Sequence, residues 1–157
     1  MSRKVYKGTV TFTKNVIDVT DPCYDKDVWC RSTLPIKPGE YEWQAVENTG
    51  SYGTRIHSLS IFQRGAILAR NRGKTVARIG VDAGLAGFFE NKPDYNDEEW
   101  EEICDLLKDK NVCVAEKENP FKCVGICSES GYGDGEYAVV ELHDVEGHWA
   151  GYRIIYI

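Results

Sequence analysis

Apolar and polar residues alternate along several stretches of this chain, most clearly in Val5-Tyr6-Lys7-Gly8-Thr9-Val10-Thr11-Phe12. A period of two sends successive side chains to opposite faces, so each such stretch predicts a half-buried strand. The pattern predicts strands near Val5 to Phe12, Val16 to Val19, Tyr41 to Val46, Ile56 to Phe62, Ala77 to Val81, Val124 to Ser128, Tyr137 to Leu142 and Trp149 to Ile157. Turn-forming clusters separate them at Pro35-Ile36-Lys37-Pro38-Gly39, Asn48-Thr49-Gly50, Asn71-Arg72-Gly73 and Asp144-Val145-Glu146-Gly147, the last closing a hairpin. Helical spacing stands out once, over Asp97 to Lys108. Asn96 is its N-cap, Glu99 completes a capping box, and Trp100, Ile103, Cys104 and Leu107 fall on one face.

Composition strengthens this reading. Val, Ile and Thr total 33 and the aromatics 18, against 17 for Leu, Ala and Met, which favours sheet over helix. The 157 residues suit a single domain, 1–157, without repeats or linkers. The predicted class is α+β, mainly β: a twisted antiparallel sheet, sandwich or half-barrel, with one packed helix. Apolar runs reach only four residues, Ala66 to Ala69 and Ile154 to Ile157, so no membrane-spanning helix is expected. Arg3 and Lys4 lead into an alternating strand rather than an apolar export signal, which predicts a cytoplasmic protein. Six cysteines (Cys23, Cys30, Cys104, Cys113, Cys123 and Cys127) are then expected as reduced, mostly buried thiols, with no Cys-x-x-Cys pair for zinc.

Charge is unevenly spread. The formal balance is 19 minus 25, or −6, yet Asn48 to Val81 holds six basic residues and no acidic one, leaving −12 elsewhere. These are Arg55, Arg64, Arg70, Arg72, Lys74 and Arg78. The Asn71-Arg72-Gly73 turn groups Arg70, Arg72 and Lys74 near one sheet end, where they would suit a small phosphate-containing anion or an acidic protein partner. The competing reading pairs them with the acidic first turn of the helix, Asp97, Glu98, Glu99, Glu101 and Glu102. Duplex nucleic acid is disfavoured, because the acidic remainder repels its backbone.

Three acidic turns lie beside predicted strands: Asp18-Val19-Thr20-Asp21-Pro22-Cys23-Tyr24, Val81-Asp82-Ala83-Gly84, and Ser130-Gly131-Tyr132-Gly133-Asp134-Gly135-Glu136-Tyr137. Turn chemistry accounts for each one, since Asp and Gly serve tight backbone bends. The sharper reading brings Asp21, Asp82 and Asp134 to one rim, as ligands for Ca²⁺ or Mg²⁺ or as a general acid and base. Tyr132 and Asp134 also become candidate ligand contacts. Gly73-Lys74-Thr75 lacks the upstream glycine of a phosphate loop, and Ser130 lacks a nucleophile elbow. His57, His143 and His148 read as surface residues. A Cys127 and His143 nucleophile pair rests only on their placement in late, neighbouring strands.

Asp21-Pro22, Leu34-Pro35-Ile36-Lys37-Pro38-Gly39-Glu40-Tyr41, Val81-Asp82-Ala83-Gly84 and the run from Gly131 to Tyr137 occur in an order that resembles the bacterial family catalogued as domain of unknown function 4241. The string Asp21-Pro22-Cys23-Tyr24 also resembles short phage proteins. The resemblance implies a small cytosolic domain without an established activity, with suspected roles in bacterial conflict. Three function classes follow. The first is a non-enzymatic bacterial or phage binding module, without a cofactor, for a small anion or a protein partner. The second is a metal-dependent hydrolase using Asp21, Asp82 and Asp134, and the third is an immunity or anti-defence protein that blocks an effector.

Overall fold

The computed structural model describes residues 2–51, 53–71, 73–108, 110–115 and 120–157. Two antiparallel sheets stack face to face, neither closed into a barrel. The larger has six strands in the order β1 (Ser2–Phe12), β4 (Gly39–Gly50), β5 (Gly53–Gln63), β11 (Trp149–Ile155), β10 (Gly135–His143) and β6 (Thr75–Val81). The smaller runs β3 (Ser32–Pro35), β2 (Val16–Thr20), β7 (Leu85–Glu90), β9 (Val124–Glu129) and β8 (Val112–Ala115). The expected mainly β architecture with one packed helix is therefore present, as a sandwich.

Strand parity builds the space between the sheets. Phe12, Tyr41, Trp43, Ile61, Val139 and Ile154 point inward from the larger sheet to meet Ile17, Val19, Phe88 and Ile126 of the smaller. Gly8 stands opposite Trp43. A Cβ there would lie 2.8 Å from the indole nitrogen, so glycine gives the ring its place.

The smaller sheet is covered on its other face as well. Phe88 turns toward the larger sheet while its neighbour Phe89 turns outward, where Cys113, Phe121, Cys123 and Cys127 join it. Helix α1 (Asp97–Leu107) closes this layer with Ile103 and Leu107. Its start follows the sequence reading: Asn96 accepts from Glu99 N at 2.8 Å, and the Glu99 carboxylate accepts from Asn96 N at 3.0 Å. Two positions depart from the expected apolar stripe. Trp100 is only half-buried and Cys104 is exposed, because the stripe touching the sheet is narrower than the sequence pattern. No described helix is long and apolar enough to cross a membrane.

Candidate functional site

The Asp21 turn is a joint between the two sheets. Its Oδ1 accepts from Cys23 N at 2.9 Å, while Oδ2 accepts from Asp82 N at 2.9 Å and Ala83 N at 2.6 Å. The end of β2 is thus fastened to the turn that carries the chain from β6 into β7. Burial pushes the Asp21 carboxyl above its usual range, and the three backbone N–H groups pull it back. Asp82 meets Asp21 through its backbone, and the Asp82 and Asp134 side chains are exposed. Among the described residues, no three His, Cys, Asp or Glu side chains gather closely enough to hold a metal ion.

The loop carrying Asp134 adjoins the same joint and is fixed from within. Gly133 O accepts from Ser130 Oγ at 2.6 Å and from Tyr137 OH at 2.8 Å. Arg55 reaches across from β5 to donate to Gly131 O at 2.8 Å, with its guanidinium 5.3 Å from the centre of the exposed Tyr132 ring. A cavity of about 470 Å³ lies between this loop, the β6–β7 turn and the end of α1, lined by Leu85, Leu107, Lys108, Glu129 and Tyr132.

The basic residues do not converge as one cluster. Arg64 pairs with Glu40 at 2.6 Å, Arg78 with Glu136, and Lys74 with Glu141 at 3.9 Å. Their partners sit on or beside neighbouring strands of the same sheet, so pairing with the acidic helix is not what neutralises them. The helix meets Lys122 instead, through Glu99. Arg72 lies outside the described residues. Arg70 goes elsewhere, because the segment after β5 must pass β11 and β10 to reach β6 and is tied to their connecting turn. Ala69 N donates to His143 O at 2.9 Å, and Val145 N donates to Ile67 O at 2.9 Å.

This crossing brings Arg70 to a groove of about 590 Å³ on the outer face of the six-stranded sheet. Arg3 enters it from β1, Gln44, Val46 and Asn48 from β4, His57 and Ser58 from β5, and Arg153 and Ile155 from β11. His57 reaches the groove through a β-bulge: Val46 pairs with Ser58 and Glu47 with Ile56, which leaves His57 as the extra residue. Two consecutive side chains therefore line the same groove. The His57 carbonyl accepts from Tyr156 N at 2.9 Å, which fixes the bulge against the chain end. Arg153 is held by its Nε donating to Ser60 Oγ at 2.7 Å.

Arg3, Arg70 and Arg153 thus line one groove that no described carboxylate lines. Burial lowers the pKa of Arg153, and the Arg3 charge lowers it further. Burial also lowers His57, with Arg153 and Arg3 adding to the effect. An anion would offset the like-charge repulsion in both cases. Arg70 stands out in the sequence within its basic run, whereas Arg3, His57 and Arg153 lie far apart in the chain and carry no local signal of the groove. Lys74, Tyr132 and the three aspartates do not line this groove.

The expected Cys127 and His143 pair is not formed. Cys127 belongs to β9 of the smaller sheet and His143 to β10 of the larger, so they are not on neighbouring strands. Burial raises the pKa of Cys127 far above the ordinary thiol value and that of Cys123 to about 11, which keeps both protonated and unreactive. No family model matches this chain, and no curated protein or solved structure matches it.

Proposed function

We propose that this chain is a non-enzymatic binding module for a small phosphate-containing anion, taken up in the outer groove. The observation that carries the reading is that Arg3, Arg70 and Arg153 line one groove without a described carboxylate among the lining residues. Arginine forks match phosphate oxygens two at a time, and hydrogen bonds to charged oxygens are about twice as strong as neutral ones. Gln44, Asn48 and Ser58 supply further polar contacts around them. The resemblance to the bacterial domain of unknown function 4241, and that of the Asp21-Pro22-Cys23-Tyr24 string to short phage proteins, belong to the same proposal and support a bacterial or phage source.

The hydrolase reading needs the Asp21 carboxylate available to a metal or a proton in transfer. Its oxygens are already taken by three backbone donors, so no observation favours that reading. Titration calorimetry with pyrophosphate tests the binding proposal. The expected result is saturable binding that Arg70→Gln and Arg153→Gln each weaken by about tenfold or more, with unchanged circular dichroism. Equal binding by all three proteins overturns it.

A further inference from the structure

We propose that β1 is a docking edge for an extended acidic peptide segment of another protein, which would add to the six-stranded sheet as a seventh strand. The proposal does not depend on a ligand in the outer groove, although Arg3 borders both. Strand β1 lies at the end of its sheet and pairs with β4 over all eleven residues without a register shift. Among the described residues β4 is its only strand neighbour. In an antiparallel pair every second residue turns both its N–H and its C=O away from the partner strand, so β1 offers a regular row of donors and acceptors outward. Long regular edges of this kind are templates for strand addition, and native proteins ordinarily shorten, bulge, cover or charge them; the cations of β1 guard it against neutral and like-charged strands and leave an acidic one as its fitting occupant.

Charge selects the occupant. Ser2–Phe12 contains Arg3, Lys4 and Lys7 and no carboxylate, so it carries +3 against −9 for the rest of the chain. All three cations are exposed. A second copy of this chain would bring the same three cations to the edge and be repelled, whereas an acidic strand would be attracted. Parity then sets the pattern. Arg3, Val5 and Lys7 share one face, and Val5 keeps 41% of its surface exposed. A complementary strand reads acid, any residue, apolar, any residue, acid, with the apolar side chain covering Val5 and the acids meeting Arg3 and Lys7.

The test uses a fluorescein-labelled, acetylated and amidated peptide, Glu-Thr-Val-Thr-Glu-Thr-Val, read by anisotropy. Saturable binding is expected below ~1 mM. Backbone N-methylation at one alternate set of residues should abolish it, while methylation at the other set leaves it within about twofold, because only one set faces β1. Lys7→Gln, which removes a cation that the peptide acids meet and that does not line the groove, should weaken the peptide by about threefold or more and leave pyrophosphate binding within about twofold. Arg70→Gln should do the reverse, which separates failure of this proposal from failure of the groove. No saturable binding overturns the docking edge. So do two methylated peptides that behave alike, or sedimentation showing that the chain pairs with itself through β1.

Discussion

The two sheets of the sandwich have opposite outer faces. The five-stranded sheet hides its outer face under α1, with Phe89, Cys113, Phe121 and Cys127 packed against Ile103 and Leu107. The six-stranded sheet leaves part of its outer face uncovered, and there the chain has placed Arg3, His57 and Arg153, with Arg70 brought over them by the β5–β6 crossing. One face satisfies itself by burial. The other holds positive charge that its own lining does not balance, and that difference is what separates a structural layer from a candidate site.

The largest effect should follow from breaking the covered face. Ile103 is fully buried, so Ile103→Ala removes transfer energy and leaves a cavity, at a cost of about 3–4 kcal/mol in urea denaturation. Trp100→Ala should cost clearly less, because that ring is half-buried. Equal losses at the two positions would mean that the helix sits on the sheet through a different face. Pyrophosphate binding, normalised to folded protein, should not change in either variant.

A smaller loss should come from the joint that holds the two sheets together. Asp21→Ala leaves the backbone N–H groups of Cys23, Asp82 and Ala83 without their acceptor. At roughly 1–3 kcal/mol for each unsatisfied buried donor, partly relieved by water, a net cost of about 2–3 kcal/mol is expected. Anion binding should again be retained. A stable Asp21→Ala protein that has lost pyrophosphate binding would reverse the assignment and move the site from the outer groove to the acidic turns.

These contrasts also explain what was readable in the sequence. Asn96 and Glu99 form a local device, complete within four residues, so the helix start was visible. Long strands with one wet face were visible through alternation. Strand β7 was not, because Leu85–Glu90 is buried on both sides and shows no period of two. Strands β3 and β8 have only four residues each, too few to establish a period. The groove was legible in one member only. Arg70 belongs to a conspicuously basic segment, whereas His57 enters through a bulge that depends on the β4–β5 register, and Arg3 and Arg153 come from opposite ends of the chain.

The smallest expected effect, and the one that sharpens the comparison most, concerns protonation of His57. Burial and the charges of Arg153 and Arg3 hold its folded pKa below the ordinary value of 6.5. The unfolded chain therefore binds this proton more readily than the folded one, and stability should fall as pH drops through about 6.5 toward the folded pKa. His57→Asn should flatten that part of the pH profile. The charges acting on His57 are those of Arg153 and Arg3; Arg70, Gln44, Asn48 and Ser58 line the same groove, with no carboxylate among its described lining residues. A bound anion should reverse the local preference, because it attracts the proton that the arginines repel. Sulfate is the suitable probe, since its charge stays constant across this range while that of phosphate does not. Urea midpoints at pH 7.5 and 5.5, with and without sulfate, should show the wild-type loss shrinking when sulfate is present, and His57→Asn should respond to sulfate equally at both pH values. If sulfate leaves the difference between the two proteins unchanged, the anion is not bound beside His57 and the uncovered face is not the site.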